Sequence, residues 1–149
     1  MPNHAYTFAA AYVFFFRDDQ ILLSRRYDTG FEDGNYSLPA GHTEPGETFT
    51  DSAIRETAEE IGISLTPESI EVSHVMHRKT PEREYVDVFF TCKKWSGNPE
   101  NREPKKCDDL SWFPINNLPK NIVPNVKHAI ECSTKSIFYS EFGWNDNSL

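Results

Sequence analysis

The stretch GHTEPGETFTDSAIRETAEEIGI, residues 41–63, places a glycine-containing turn directly before a helical segment that carries three glutamates. At about 100° per residue, Glu56, Glu59 and Glu60 fall within an arc of about 100°, so their carboxylates share one face. Like charges three or four residues apart destabilise a helix by a few tenths of a kcal/mol per pair. A bound cation would relieve that repulsion, and carboxylate oxygens favour a hard ion such as Mg²⁺. The stretch therefore predicts a divalent-metal site.

The opposite side of this helix is predicted to face the core. It carries Ala53, Ile54, Thr57, Ala58 and Ile61. The helix has a single basic residue, Arg55, and one guanidinium cannot balance all the carboxylates. The helix therefore needs a cation from outside its own sequence.

The same stretch resembles the box that defines the Nudix hydrolases: G, five residues, E, seven residues, then REUXEEXGU, where U is a bulky aliphatic residue. The matching residues are Gly41, Glu47, Arg55, Glu56, Glu59, Glu60, Gly62 and Ile63. Thr57 stands at the first U position and is the one departure. Because Thr57 lies on the buried side by helical angle, it should alter packing more than chemistry. The alternative, a solvated acidic helix face, does not explain the fixed spacing to Glu47.

This resemblance implies a Mg²⁺-dependent hydrolase, with Mn²⁺ as a substitute, in which Glu56, Glu59 and Glu60 gather the metal. A main-chain carbonyl just before the first box glycine commonly joins them, and here it belongs to Ala40. Many relatives have glycine at that place, but a carbonyl ligand requires no particular side chain. The expected metal ligands are therefore these four residues.

The resemblance also distinguishes supporting residues from the general base. Glu47 and Arg55 are interpreted as the pair that fixes the loop against the helix, with direct metal binding as the less favoured alternative. Glu56 is the first choice for the base within the box. The candidates outside it are Glu103, Asp108 and Asp109, each of which is otherwise a solvated loop acid.

Residues 101–114, NREPKKCDDLSWFP, look like the loop of MutT-type Nudix enzymes that hydrolyse nucleoside triphosphates, where N-x-E-P-x-K-C precedes a tryptophan strand. The box variant R-E-T at 55–57 also occurs in several of those relatives. Both details favour cleavage of a nucleoside triphosphate, including an oxidised or modified one, to monophosphate and pyrophosphate. Two alternatives stay open: a hydrolase of ADP-ribose, a nucleotide sugar or another diphosphate-linked nucleoside, and a nucleotide sensor without hydrolysis.

The candidate substrate-binding residues lie around the glycine-rich segment before the box, with Glu103 as a further candidate. Arg25 and Arg26 end a predicted strand and are expected to contact phosphate, with surface ion pairs as the alternative. Tyr36 and Phe31 are candidates for stacking on a base, although core packing is favoured for aromatic residues.

The rest of the chain predicts one α/β domain spanning residues 1–149. An apolar strand at 8–16 and a second at 21–26 form a hairpin, 27–37 is a loop, and the box helix follows. Strands are predicted at 70–78, 84–95 and 110–113, with a long polar loop at 96–109 and a helix with Val123, Val126 and Ile130 on one face. Interleaved hairpins and helices predict a mixed β-sheet, as the Nudix resemblance also implies, between α-helices.

Composition limits the partners. The net charge of −8 argues against a stable nucleic-acid partner, because nonspecific binding relies on Lys and Arg. Cys92, Cys107 and Cys132 lack C-x-x-C spacing and resemble reduced thiols of a cytoplasmic protein. The run 8–16 is too short to cross a bilayer, so no membrane association is expected. The expected partner is a small nucleotide, and the expected state is a monomer or a homodimer with the aromatic tail as a core or dimer contact.

Overall fold

The computed structural model describes residues 3–145. The described residues form the strands β1 Thr7–Arg17, β2 Gln20–Arg26, β3 Tyr36–Ser37, β4 Ala40–His42, β5 Glu71–Lys79, β6 Glu84–Cys92, β7 Cys107–Pro114 and β8 Tyr139–Phe142, the helices α1 Phe49–Ile61 and α2 Pro124–Thr134, and a 3₁₀ turn at Pro67–Ser69. Neither helix of this part of the chain combines the length and apolarity needed to cross a bilayer.

One mixed sheet joins the strands in the order β3-β2-β1-β6-β5-β8, with β4 also paired to β1 and β7 to β2. The predicted hairpin is present as the antiparallel pair β1 and β2. The central pair, β1 and β6, runs parallel from Thr7 opposite Glu84 to Phe15 opposite Cys92. The α/β fold with a mixed sheet is therefore confirmed.

The core lies on both faces of the sheet, because the central strands are apolar on both sides. On the α1 face, Val13 and Phe15 pack with Ile61 of the helix. On the α2 face, Phe14 and Phe89 pack with helix residues that include Val126 and Ile130. The sheet is thus layered between the two helices, and β1 supplies alternate residues to each layer.

Helix α1 has a defined beginning and end. Thr48 is the N-cap, and its side chain accepts a hydrogen bond from the Asp51 amide at 3.0 Å. The helix ends at Gly62, whose φ of 72° lies in the left-handed region that glycine adopts without strain. Thr57 is fully buried, as predicted, and its hydroxyl oxygen has no hydrogen-bond partner within the described residues. Thr57 therefore contributes to the packing of the core and not to a hydrogen bond.

Several sequence predictions need correction. Ala58 is exposed, because it lies on a side of α1 that faces away from the sheet. β6 ends at Cys92. β7 begins at Cys107 because residues 107–114 pair with β2, with a register shift that leaves Asp108 without a paired residue. The predicted loop 27–37 contains the short strand β3. The aromatic tail contributes an unpredicted strand, β8, parallel to β5.

Candidate active site

Three of the four box glutamates line one cavity. Its volume is about 520 Å³, and Glu56, Glu59 and Glu60 contribute one wall from α1. Ala40 and Gly41 of β4 face them, because β4 pairs with β1 beside the helix. The sharing of one helix face by these carboxylates, predicted from their spacing, is confirmed.

Gly41 leaves room for a catalytic-site carboxylate. A Cβ atom at this position would lie 2.1 Å from Cδ of Glu56 and 2.6 Å from its Cγ. No side chain fits there while Glu56 keeps its conformation. The box glycine is therefore required by the approach of Glu56 to β4.

Glu47 and Arg55 form a two-point ion pair. Arg55 donates from Nε to Oε2 at 2.7 Å and from Nη2 to Oε1 at 2.9 Å. Glu47 also accepts from the Glu44 amide at 2.9 Å. The hydrogen bonds from Arg55, followed by the one from the Glu44 amide, lower the pKa of Glu47 to about 2. The geometry is that of a clamp between the turn and α1.

Arg55 also faces the carboxylates of the cavity. Its Nη1 lies 2.7 Å from Oε1 of Glu56 and 3.4 Å from Oε2 of Glu59. Burial raises the pKa of Glu56, and the hydrogen bond from Arg55 opposes that rise. One guanidinium is thus shared among four carboxylates, since Nη1 also lies 3.9 Å from Oε1 of Glu44, and it forms no ion pair with Glu60 in the described structure.

Glu60 is the carboxylate that lacks an ion-pair partner in the described structure. It accepts one hydrogen bond, from the Ala40 amide to Oε2 at 3.0 Å. Burial raises its pKa well above the usual value, and the nearby charges of Glu56 and Glu103 raise it further. The ionised form of Glu60 is therefore costly unless a cation approaches.

The donor set fits a hard divalent ion. Within residues 3–145, no three His, Cys, Asp or Glu side chains are already arranged as a metal-binding cluster. The oxygens of Glu56 and Glu60 are instead engaged by Arg55 and by the Ala40 amide. Both carboxylates line the cavity. No ion pair to Glu60 forms within residues 3–145, and the charge of Arg26 offsets only a small part of the rise in its pKa. The residues match the oxygen ligands that Mg²⁺ prefers.

The loop before β7 brings another carboxylate to the cavity. Glu103 lines it, and its charge contributes to the raised pKa values of Glu56 and Glu60. Asn101 fixes this loop, because its Oδ1 accepts from the Glu103 amide at 3.0 Å and its Nδ2 donates to the Cys107 carbonyl at 2.7 Å. The Asn of the N-x-E-P-x-K-C pattern thus holds the backbone of the Glu in place.

The other two acids of this region have different neighbours. Asp108 accepts from Arg25 Nε at 2.7 Å. Asp109 accepts hydrogen bonds from the hydroxyls of Tyr36 and Ser111. Of the three proposed outside bases, Glu103 is the one that the fold brings to the cavity wall.

Basic residues also line the cavity. These are Arg25, Arg26 and Lys106. The Asp108 carboxylate forms an ion pair with Arg25 and partly neutralises its charge. The Arg25 side chain is about one-third exposed. Arg26 donates to the Phe31 carbonyl at 2.6 Å and to Thr29 Oγ1 at 3.0 Å. The cavity therefore combines carboxylates, which suit cations, with basic side chains, which suit phosphate.

The loop 27–35 is held in shape by its own side chains. Asp33 accepts from the backbone amides of Thr29 and Gly30, both at 2.9 Å. Asp28 and Glu32 adopt left-handed φ values of 52°. Asp28 and Thr29 line the cavity, so this loop forms a fixed rim.

Tyr36 is not brought into the cavity. Its ring is buried against Phe113 at 4.8 Å between centroids, and its hydroxyl donates to Asp109. Burial raises the pKa of Tyr36 to about 12, with the Asp109 hydrogen bond as the next cause. Tyr36 thus packs in the core beside β2 and β7. Core packing was the alternative to base stacking that the sequence favoured for this residue.

Sequence reasoning missed Lys106, Thr29 and the anchoring role of Asn101. Lys106 and Asn101 belong to the pattern N-x-E-P-x-K-C, so the pattern itself carried the signal. Thr29 has no comparable signal, because its position depends on how Arg26 and Asp33 fold the loop.

Comparison with known proteins agrees with this geometry. The NUDIX domain model matches residues 6–131. The chain is 31% identical over 103 residues to the NAD-capped RNA hydrolase NudC of Stutzerimonas stutzeri, a match that covers 69% of this chain and 35% of that protein. It is 29% identical over 104 residues to an ADP-ribose pyrophosphatase of Methanocaldococcus jannaschii, covering 70% and 60%. The chain thus spans only about a third of the length of NudC.

Two further relatives are of the MutT type. The 8-oxo-dGTP diphosphatase of Escherichia coli is 26% identical over 99 residues, which covers 66% of this chain and 75% of that protein. The crystal structure of a MutT NUDIX hydrolase from Burkholderia pseudomallei superposes with a TM-score of 0.78 at 26% identity, covering 85% of this chain and 97% of the other. With the box residues gathered in one cavity and a family model matching most of the sequence, the chain belongs to the Nudix hydrolase family.

Proposed function

We propose that this Nudix hydrolase is a Mg²⁺-dependent pyrophosphohydrolase that converts a nucleoside triphosphate, including an oxidised or modified one, to the monophosphate and pyrophosphate. The observation that carries the proposal is one cavity lined both by Glu56, Glu59 and Glu60 and by basic side chains. A phosphate chain in this cavity would meet the bound cation as well as the basic groups.

Glu56, Glu59, Glu60 and the Ala40 carbonyl would hold the ion. When bound, Mg²⁺ would neutralise charge on the phosphate oxygens and lower the pKa of an attacking water. Mn²⁺ is expected to substitute, because it accepts the same oxygen ligands.

The remaining roles belong to side chains of the cavity and its clamp. The clamp of Glu47 and Arg55 fixes the turn before α1, and so keeps Gly41 against Glu56. Glu56 and Glu103 are the candidate bases, since both carboxylates face the cavity and neither is buried in the core. Lys106 and Arg26 orient the phosphates by charge-assisted hydrogen bonds.

Two features favour a triphosphate over a diphosphate-linked compound. Three basic residues line the cavity, which suits the higher charge of a triphosphate. The loop that resembles triphosphate-cleaving relatives is anchored by Asn101 so that Glu103 faces the cavity. The Escherichia coli relative is named an 8-oxo-dGTP diphosphatase, which agrees with this choice.

The second candidate is a hydrolase of ADP-ribose or another diphosphate-linked nucleoside. The names of the NudC and Methanocaldococcus relatives favour it. A third, a nucleotide sensor without hydrolysis, is disfavoured because it has no need for the full set of box glutamates.

A substrate panel separates these candidates. Nucleoside triphosphates, ADP-ribose, nucleotide sugars and NAD-capped RNA are each incubated with the protein and Mg²⁺, and kcat/KM is compared with products resolved as monophosphate, pyrophosphate or orthophosphate. A triphosphate yielding monophosphate and pyrophosphate should lead. An ADP-ribose or sugar-linked compound that exceeds every triphosphate by tenfold, about 1.4 kcal/mol of transition-state preference, would overturn the triphosphate assignment. No product from any compound would favour the sensor.

A further inference from the structure

Arg26 is a cation of the box cavity that has no acidic partner. It is half-buried and lines the cavity, and it forms no ion pair within residues 3–145. The neighbouring Arg25, in contrast, is paired with Asp108. The positive charge of Arg26 is therefore available to an anion that enters the cavity.

The loop 27–35 holds one edge of the Arg26 guanidinium at two points. Nε donates to the Phe31 carbonyl at 2.6 Å, and Nη2 donates to Thr29 Oγ1 at 3.0 Å. A guanidinium carries five N–H groups, so three of them remain without a protein acceptor in the described part of the chain. Because the guanidinium is planar and rigid, the two contacts with the loop also set the direction of the free N–H groups.

The Thr29 hydroxyl connects Arg26 to Asp33. Its Oγ1 lies 2.5 Å from Asp33 Oδ1, 3.0 Å from Arg26 Nη2 and 3.2 Å from the Phe31 amide nitrogen. A carboxylate can only accept, whereas a guanidinium and an amide can only donate. The hydroxyl therefore donates its one hydrogen to Asp33 and accepts from the other two groups. Asp33 thus determines that the lone pairs of Thr29 face Arg26.

The Thr29 hydroxyl has a second acceptor within reach. The Phe31 carbonyl lies 3.0 Å from Oγ1, and this same carbonyl accepts from Arg26 Nε. Without the Asp33 carboxylate, the hydroxyl hydrogen would turn to the Phe31 carbonyl. It would then compete with Nε, and the lone pairs of Thr29 would turn away from Nη2. Both hydrogen bonds that hold the guanidinium therefore depend on Asp33.

Asp33 acts from outside the cavity. It is exposed, and it accepts from the backbone amides of Thr29 and Gly30, both at 2.9 Å. The hydrogen bond from the Thr29 hydroxyl, followed by those from the two amides, holds the pKa of Asp33 below its usual value. The loop also closes on Arg26, whose carbonyl accepts from the Gly34 amide at 2.7 Å. A fixed carboxylate thus anchors a short chain of hydrogen bonds that ends at the cavity.

We propose that Asp33 is a positioning residue for phosphate binding: through the Thr29 hydroxyl it orients Arg26, whose free N–H groups donate to a phosphate oxygen of the substrate. This inference rests on the proposed function, in which a phosphate chain lies in the box cavity. The guanidinium meets that phosphate both before and during the reaction. Loss of its orientation should therefore raise KM and leave kcat nearly unchanged.

Asp33→Asn and Thr29→Val test this chain of hydrogen bonds, because each keeps the shape of the side chain while removing the carboxylate or the hydroxyl. For the compound that leads the substrate panel, we expect each variant to raise KM about fivefold, with kcat within about twofold of the native value. Glu32→Gln is the matched control. It removes the same charge from the same loop, but Glu32 accepts from Asn35 Nδ2 at 2.8 Å instead, so KM should stay near the native value.

A double-mutant cycle with Arg26→Met separates positioning from a purely structural role of the loop. In the Arg26→Met background, Asp33→Asn should raise KM no further, because no guanidinium remains to be oriented. The same factor in both backgrounds would overturn the proposal, since it would show that Asp33 acts independently of Arg26. Native KM in both Asp33→Asn and Thr29→Val, or an equal rise in Glu32→Gln, would also overturn it.

Binding of inorganic pyrophosphate in the presence of Mg²⁺, measured by calorimetry, repeats the cycle without any assumption about the substrate. Pyrophosphate carries the phosphoanhydride linkage that triphosphates and diphosphate-linked nucleosides share. Weaker binding by Asp33→Asn in the native background alone would support the positioning role even if triphosphates prove poor substrates. Equal affinities of the native protein and Asp33→Asn, or no binding to the native protein at millimolar concentration, would overturn that role even if triphosphates are hydrolysed.

Discussion

Gly62 and Arg102 meet where α1 ends, and a Cβ atom on Gly62 would lie 2.8 Å from Nε of Arg102. The same loop donates backbone hydrogen bonds to the helix end, from Arg102 to the Glu60 carbonyl at 2.9 Å and from Glu100 to the Ile61 carbonyl at 3.0 Å. The last glycine of the box therefore leaves room for the loop that carries Glu103 to pack against the end of α1.

Gly62→Ala should lower the free energy of unfolding by about 1–2 kcal/mol, because alanine is strained at a φ of 72°. Chemical denaturation measures this loss. In an Arg102→Ala background most of the penalty should remain, since the half-exposed guanidinium can move and the backbone strain cannot. A penalty that vanishes in that background would show that the Arg102 contact causes it.

Glu59→Gln and Glu60→Gln should each reduce kcat by orders of magnitude while the fold is retained. Each change preserves the length of the side chain and removes one negative charge from the proposed ion site. Steady-state kinetics across a Mg²⁺ titration measures the effect, with Glu82→Gln on an exposed turn as the matched control. Near-normal turnover with unchanged Mg²⁺ dependence in both variants would exclude these residues from the mechanism.

Glu60→Gln should also stabilise the metal-free protein. Burial holds the pKa of Glu60 well above its usual value, so its ionised form opposes folding at neutral pH. Removing the charge should raise the free energy of unfolding in EDTA by at least a few tenths of a kcal/mol. Added Mg²⁺ should raise the Tm of the native protein more than that of the variant. An equal Tm rise in both would place the bound ion elsewhere.

The clamp of Glu47 and Arg55 should make stability depend on acid pH. The pKa of Glu47 is lowered to about 2 from the usual 4.5, so its stabilising effect is complete above about pH 4.5 and is lost as pH falls toward 2. Glu47→Gln should therefore lower Tm at pH 7, and the difference from the native protein should shrink as pH falls through this window. Thermal melts at a series of pH values test this, and a difference that is constant with pH would contradict it.

Gly41→Ala should damage catalysis far more than stability. The new Cβ would overlap Cδ of Glu56, and a side chain can rotate away more readily than backbone can move. We expect kcat/KM to fall by about 100-fold or more, since catalytic groups displaced by about 1 Å lose such factors. Tm should change by only a few degrees, because Glu56 leaves no buried cavity when it rotates. Full activity in this variant would show that the position of Glu56 is not critical.

The sequence by itself determined the parts that depend on local periodicity and spacing. The helix and its acidic face follow from residues close together in the sequence. The hairpin of β1 and β2 follows from two apolar runs separated by a polar turn. Local rules suffice for these features, because helix geometry and a short turn fix the distances between the residues concerned.

Only the tertiary structure decided which distant residues share a cavity. Glu103 and Asp108 both fall in the predicted polar loop 96–109, yet Asp108 lies in β7 and pairs with Arg25, while Asn101 holds Glu103 at the cavity. Arg78 and Asp87 form a pair inside the protein because β5 and β6 lie side by side. The presence of a charged residue in an apolar strand does not by itself reveal its partner. β8 was likewise missed, since a four-residue strand gains its stability from docking beside β5 rather than from its own sequence. Long-range pairing sets these contacts, because the energy that selects them comes from burial shared among elements far apart in the chain.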